Sequence, residues 1–117
     1  MSADISNLKE INGFIGACLV DSDTGMMLAS QSGGKDLDLE TAAAGNTEVV
    51  KAKLAVMKAL NINDKIEDIL ITLGKQYHLI RLLAANPTIF IYVVLDKKAN
   101  LGMARIQVKK VEQTLAI

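Results

Sequence analysis

The stretch Ile66–Asp96, IEDILITLGKQYHLIRLLAANPTIFIYVVLD, decides how this chain folds. Three runs of strand length, rich in Ile, Leu, Val, Tyr and Phe, are divided by turn-forming residues at Gly74-Lys75-Gln76 and Asn86-Pro87. Apolar runs separated by such short turns predict an antiparallel meander. Ile89 to Leu95 is apolar at every position. Successive strand side chains point to opposite faces, so this run belongs mid-sheet with cover on both sides. In the first run Ile69, Ile71 and Leu73 share one face, and Asp68, Leu70 and Thr72 the other. That mixed pattern suits an edge strand, whose unpaired backbone groups invite a partner.

Upstream of the meander, Ile5, Leu8 and Ile11 in ADISNLKEI predict a short amphipathic helix, capped by Ser2 and ended by Asn12-Gly13. Phe14 to Val20 (FIGACLV) reads as a second central strand. The turn cluster Asp21-Ser22-Asp23-Thr24-Gly25 folds it into a hairpin with Met26 to Ser30. After the loop QSGGKD (31–36), a long helix is predicted over about Leu37 to Leu60. At about 100° per residue, Leu39, Ala42, Ala43, Val49, Val50, Leu54, Met57 and Leu60 form the stripe assigned to the sheet. The opposite face carries Thr41, Ala44, Glu48, Ala52, Ala55 and Ala59, with Thr47, Lys51 and Lys58 on a soluble flank. Alanine there raises helix propensity, and it also makes a smooth surface that a second helix can approach closely. Asn100 is placed to cap a final helix whose apolar positions are Leu101, Ala104, Val108, Val111 and Leu115. Met103, Ile106 and Ile117 fall off that stripe and are expected at the surface.

The element order is α-β-β-α-β-β-β-α. Two fully apolar strands with amphipathic helices predict an α/β (α+β) three-layer α-β-α sandwich around a mostly antiparallel sheet. The 117 residues fit one domain, 1–117, long enough for one sizeable core. Phe14, Tyr77, Phe90 and Tyr92 are the only aromatics, so the core is aliphatic, with five methionines as pliable filler. Thirteen basic and thirteen acidic residues cancel without forming a basic stripe, which argues against nucleic acid as a partner. The polar, acidic start MSADISNLKE is unlike a secretory signal, and no apolar run nears the ~20 residues of a membrane helix. Cys18 has no second cysteine to pair with. A soluble cytoplasmic protein, with no membrane partner, is expected.

Motifs for chemistry fail on spacing. Gly33-Gly34-Lys35 lacks the first glycine of a phosphate loop, whose place is held by Ala29, and the following Asp36 lacks the hydroxyl that binds magnesium. The cluster from Asp21 has its glycine one position too early for a calcium loop, and Ser32 stands where the bidentate glutamate belongs. His78 is the only histidine and reads as a packed or half-exposed strand residue. Cys18, inside an apolar strand, reads as a small hydrophobe with an inert thiol. Arg81 reads as a strand residue at an edge or a contact. No catalytic, metal or cofactor site is therefore expected, and the chain is expected not to be an enzyme.

Ala99, Asn100, Leu101, Gly102, Ala104 and Arg105, following a strand that ends in Asp96, resemble the close of the roadblock/dynein light chain family. The meander with its glycine turn, the alanine-rich long helix and the Gly13 to Gly25 hairpin extend the resemblance over nearly the whole chain. It implies a profilin-like, longin-related fold with strand order 2-1-5-4-3. It also implies homodimers or heterodimers formed by pairing third strands and long helices. Members serve as non-catalytic platforms for small Ras-like GTPases, as dynein subunits or as adaptors, and one bacterial branch activates a motility-polarity GTPase. Carried onto this chain, the pairing and partner surface comprises Ala44, Glu48, Lys51, Ala52, Ala55 and Ala59 with Glu67, Ile69 and Ile71. A small-ligand sensor of PAS-like type is the alternative, since such domains also combine helices with five strands.

Overall fold

The computed structural model describes residues 3–34 and 37–117. A 3-10 helix, Ser6–Glu10, is followed by β1 (Phe14–Asp21), β2 (Met26–Ser32), α1 (Leu39–Ala59), β3 (Asp68–Thr72), β4 (Gln76–Leu82), β5 (Ile89–Asp96) and α2 (Leu101–Thr114). The strands form one sheet in the order β2-β1-β5-β4-β3. All four neighbouring pairs are antiparallel, so the sheet is wholly rather than mostly so. The apolar run Ile89–Leu95 occupies the middle and is buried at every position. α1 covers one face of the sheet, and α2 with the 3-10 helix covers the other. This is the three-layer sandwich that the meander and the amphipathic helices predict.

The first helix is 3-10 rather than α. Ile5, Leu8 and Ile11 recur every three residues with no i+4 partner, and a 3-10 turn stacks positions i and i+3 directly above one another. All three are buried beneath α2. Ser2, read as the cap, lies outside the described residues. Gly13 closes the segment at φ +86, and a Cβ there would stand 2.6 Å from Asp96 Oδ1. The Gly13 carbonyl accepts the Asp96 N–H at 2.8 Å, which ties the entry of β1 to the end of β5.

α1 starts two residues later than its apolar pattern suggests because Asp38 caps it. The Asp38 carboxylate accepts the Thr41 N–H at 3.0 Å and the Thr41 hydroxyl at 2.6 Å. Its sheet-facing stripe is narrower than predicted. Ala43, Val50 and Met57 are buried and Leu39 and Ala42 half-buried, but Val49, Leu54 and Leu60 are exposed. The stripe gains Thr47, placed by the sequence on a soluble flank. It is 3 % exposed, and its hydroxyl donates to the Ala43 carbonyl at 2.8 Å. A threonine bonded one turn back presents its methyl outward, so it packs like a small apolar residue. From Lys51 to Leu60 only Met57 is buried, so the second half of α1 rests on the sheet by one residue per two turns.

α2 follows its pattern. Asn100 caps it by accepting the Met103 N–H at 3.1 Å, and Ala104, Val108 and Val111 are buried with Leu101 and Leu115 partly so. Met103 and Ile106 are exposed as expected, whereas Ile117 is half-buried against the core. Two ion pairs fix the helix to the meander. Arg105 donates to both oxygens of Asp68 at 2.9 and 3.2 Å, and Arg81 Nε donates to Glu112 Oε1 at 2.8 Å.

Candidate protein-interaction face

The sheet has two edges, and they differ. β2 carries a bulge. Leu19 pairs with Ala29 and Val20 with Met27, leaving Leu28 unmatched. Bulges bend an edge and discourage further pairing. β3 pairs with β4 in unbroken register from Asp68–Arg81 to Thr72–Tyr77. Leu73 N–H donates to the Gln76 carbonyl and Leu82 N–H to the Glu67 carbonyl. Antiparallel pairing alternates, so residues 67, 69, 71 and 73 aim their backbone groups at β4. Asp68, Leu70 and Thr72 aim theirs outward. β3 is thus a regular edge with three residues ready to pair.

Above it, the α1 side of the sheet is only partly covered. Ile69 and Ile71 face that side, paired with Ile80 and His78, and both remain half-exposed. Asn46 of α1 lies close enough to the Tyr92 hydroxyl to act on it, so its flank of the helix faces β5. The other flank, with Glu40 and Ala43, lines a shallow cleft with Gly25, Met26 and Met27 beside β2. Continuing from Asn46 away from the sheet, α1 presents Ala42, Gly45, Val49, Ala52, Val56 and Leu60. Their spacing of 3-4-3-4-4 makes a seam of the kind that packs helix against helix. Val49 is 37 %, Val56 48 % and Leu60 64 % exposed, an apolar strip along the helix.

The residues predicted from sequence are all accessible. Ala44, Glu48, Lys51, Ala52, Ala55, Ala59 and Glu67 are exposed, and Ile69 and Ile71 half-exposed. On the helix, however, the predicted face is centred about 100° around the axis from the apolar seam, and only Ala52 belongs to both. In the sequence Val49 and Leu60 fall in the core stripe because they are apolar. The missed signal is the seven-residue repeat Val49–Val56 with small residues at 42, 45 and 52.

The polar residues near this face form a chain. The Tyr92 hydroxyl and His78 Nδ1 share a hydrogen bond of 3.0 Å, and His78 Nε2 another of 2.9 Å with Gln76 Oε1. The two rings meet edge to face at 5.5 Å. Burial lowers the His78 pKa below its ordinary 6.5 and raises that of Tyr92. Burial alone pushes the Cys18 thiol up to about 12, so it is inert at neutral pH. For His78 the folded state disfavours the charged ring. Its contribution to stability is complete above pH 6.5 and is lost as pH falls from there through the lowered folded value. Urea melts between pH 7.5 and ~5 are expected to show falling stability, and His78→Gln is expected to flatten that slope. Equal slopes in the two proteins would refute the assignment. Among the described residues no group of three His, Cys, Asp or Glu is placed to hold a metal, and no helix is long and apolar enough to cross a membrane.

The sheet order, the single long helix on one face and the terminal helix on the other make this the fold of a roadblock/LC7 domain. A roadblock/LC7 domain from Streptomyces avermitilis superposes with a TM-score of 0.78 at 12 % identity, covering 92 % of this chain and 87 % of the other. MglB of Myxococcus xanthus matches with a TM-score of 0.80 at 18 % identity over 92 % of this chain and 85 % of its own. A further MglB structure, described as having a tetrameric arrangement, matches with a TM-score of 0.80 at 20 % identity over 93 % and 79 %. At these identities the likeness is one of fold. No family model matches the sequence, and no curated protein does.

Proposed function

We propose that the protein is a non-catalytic, cytoplasmic platform that dimerises through β3 and the α1 seam and regulates or scaffolds a small Ras-like GTPase. The observations that carry the dimer are the exposed apolar strip of Val49, Val56 and Leu60 on α1 and the regular, unbulged edge strand β3. A self-complementary pairing must match outward-facing positions with one another. A twofold axis at Leu70 does so, placing Leu70 opposite its copy, Asp68 opposite Thr72 and Ile69 opposite Ile71. The Ile pair then lies on the α1 side, and two helices meet above a continuous sheet. Such an interface has the makings of the ~1,600 Å² that a stable association needs. The tetrameric arrangement described for one MglB structure favours self-association in this fold.

The GTPase is supported by the family resemblance of the sequence and by the likeness of fold to MglB. The sequence has no phosphate loop of its own, which suits a regulator rather than a nucleotide-binding partner. Glu48, Lys51, Ala44 and Ala55 lie on the outer surface of α1, beyond the seam, where a partner meets the paired helices. Charge there would tune the association rate and its salt dependence more than affinity.

Light scattering tests the first half. The wild type is expected to be dimeric at tens of micromolar. Val49→Glu with Val56→Arg, and Ala52→Glu with Ala55→Arg, are expected to be folded monomers. Leu70→Cys is expected to crosslink on mild oxidation, because directly opposed hydrogen-bonded residues stand ~5.5 Å apart, within disulfide reach. A monomeric wild type would overturn the dimer. Pull-down from the native cell tests the second half, since recovery of the same proteins by wild type and monomeric variants, with no GTPase among them, would overturn the regulatory role.

A further inference from the structure

On the opposite face from the seam, a cleft of about 320 Å³ opens between the β4–β5 turn and the second half of α2. Leu83, Ala84, Leu115 and Ile117 supply apolar walls, and Arg81 and Lys109 also line it. Arg81 is largely buried and paired. Its side chain is 13 % exposed, and its Nε donates to Glu112 Oε1 at 2.8 Å. The other Glu112 oxygen accepts the Ala84 N–H at 2.7 Å, so this carboxylate is engaged on both sides. Neither terminal nitrogen of Arg81 bonds a described residue, and neither is sealed from solvent. The N–H of Ala85, which also lines the cleft, has no partner among the described residues either. Glu112 is engaged by Arg81, and Lys109 is a further cation among the side chains that line the cleft. A planar guanidinium fixed through Nε, offering two parallel N–H groups, matches the two oxygens of a carboxylate.

We propose that this cleft docks a short segment of a partner protein in which a glutamate or aspartate lies beside an aliphatic residue. The carboxylate bridges the terminal nitrogens of Arg81 with Lys109 nearby, and the aliphatic side chain packs on Leu83 and Leu115. The volume is at the lower end of ligand sites, which suits one or two side chains rather than a cofactor. The small residues Ala84 and Ala85 at the rim let a peptide backbone come close. Nothing in this reading depends on the dimer or on the GTPase, because β3 and α1 take no part in it.

Fluorescence anisotropy with a labelled, blocked peptide Gly-Leu-Glu-Leu-Gly tests the proposal, with Gly-Leu-Gln-Leu-Gly as the isosteric control. The glutamate peptide is expected to bind the full chain at least tenfold more tightly than the glutamine peptide, and less tightly as salt rises. Lys109→Glu combined with Ala85→Glu changes two exposed positions, so folding is retained. It is expected to weaken binding at least tenfold, while Lys75→Glu, exposed in the β3–β4 turn at the far end of β4, leaves it unchanged. Backbone amide shifts are expected at Ala84, Ala85 and Gln113. No binding up to millimolar peptide, equal binding of both peptides, or undiminished binding by the Lys109→Glu, Ala85→Glu variant would overturn it. So would displacement by inorganic phosphate at concentrations as low as those of the free peptide, which would mark a general anion site.

Discussion

Ile91→Ala is expected to lower stability by about 2–5 kcal/mol, through lost transfer energy and the cavity left behind. Ile91 is 0 % exposed. It sits in the central strand, opposite Leu19 on β1 and Arg81 on β4. Its side chain belongs to the core layer under α2, among Leu19, Leu79, Ala104 and Val108. Strands on both sides and a helix above leave the site little room to collapse, which places the cost toward the upper part of that range. Thr47→Ala is a useful comparison. It removes one buried hydroxyl bonded to Ala43 and costs about 1 kcal/mol, more than its flank position in the sequence implies. Lys58→Ala, fully at the surface, is expected to stay within about 0.5 kcal/mol. Urea melts giving the same midpoint for Ile91→Ala and Lys58→Ala would refute the layer assignment.

Glu112→Ala is expected to cost about 3 kcal/mol, the lower end of what removing one partner of a buried ion pair costs. The lower end applies because Arg81 and Glu112 keep 13 % and 11 % of their side-chain surface. The change strips Arg81 of its Nε acceptor and the Ala84 N–H of its bond, loosening the β4–β5 turn from α2. The double change Arg81→Met with Glu112→Leu removes both charges together and is expected to recover most of the loss. A single Glu112→Ala change that leaves the urea midpoint unmoved would mean that the pair contributes nothing.

Much of this architecture is legible in short patterns. The alternation in 66–96 and the unbroken apolar run of β5 fix the meander and its central strand, because a two-residue period and full burial admit few other readings. Asn100 and the spacing of Leu101, Ala104, Val108, Val111 and Leu115 fix α2 for the same reason. Ile5, Leu8 and Ile11 are less decisive. Their burial follows from their apolarity, but a three-residue spacing fits both a short α-helix and a 3-10 turn, and the packing under α2 selects the second.

The interaction face is where the sequence runs out. By itself it determined that β3 is an edge and that α1 carries an apolar stripe with a face of small residues opposite it. It could not say which of them lie against the sheet. Val49, Val50, Leu54 and Leu60 are alike in hydrophobicity, and Thr47 is the more polar, yet Val50 and Thr47 are buried and the other three exposed. That choice is made by how α1 lies over β1 and β2. A helix wheel carries no information about that placement. Only the tertiary structure leaves Val49 and Val56 exposed while Val50 and Thr47 are buried, and sets Arg81 beside Glu112 from a helix thirty-one residues away.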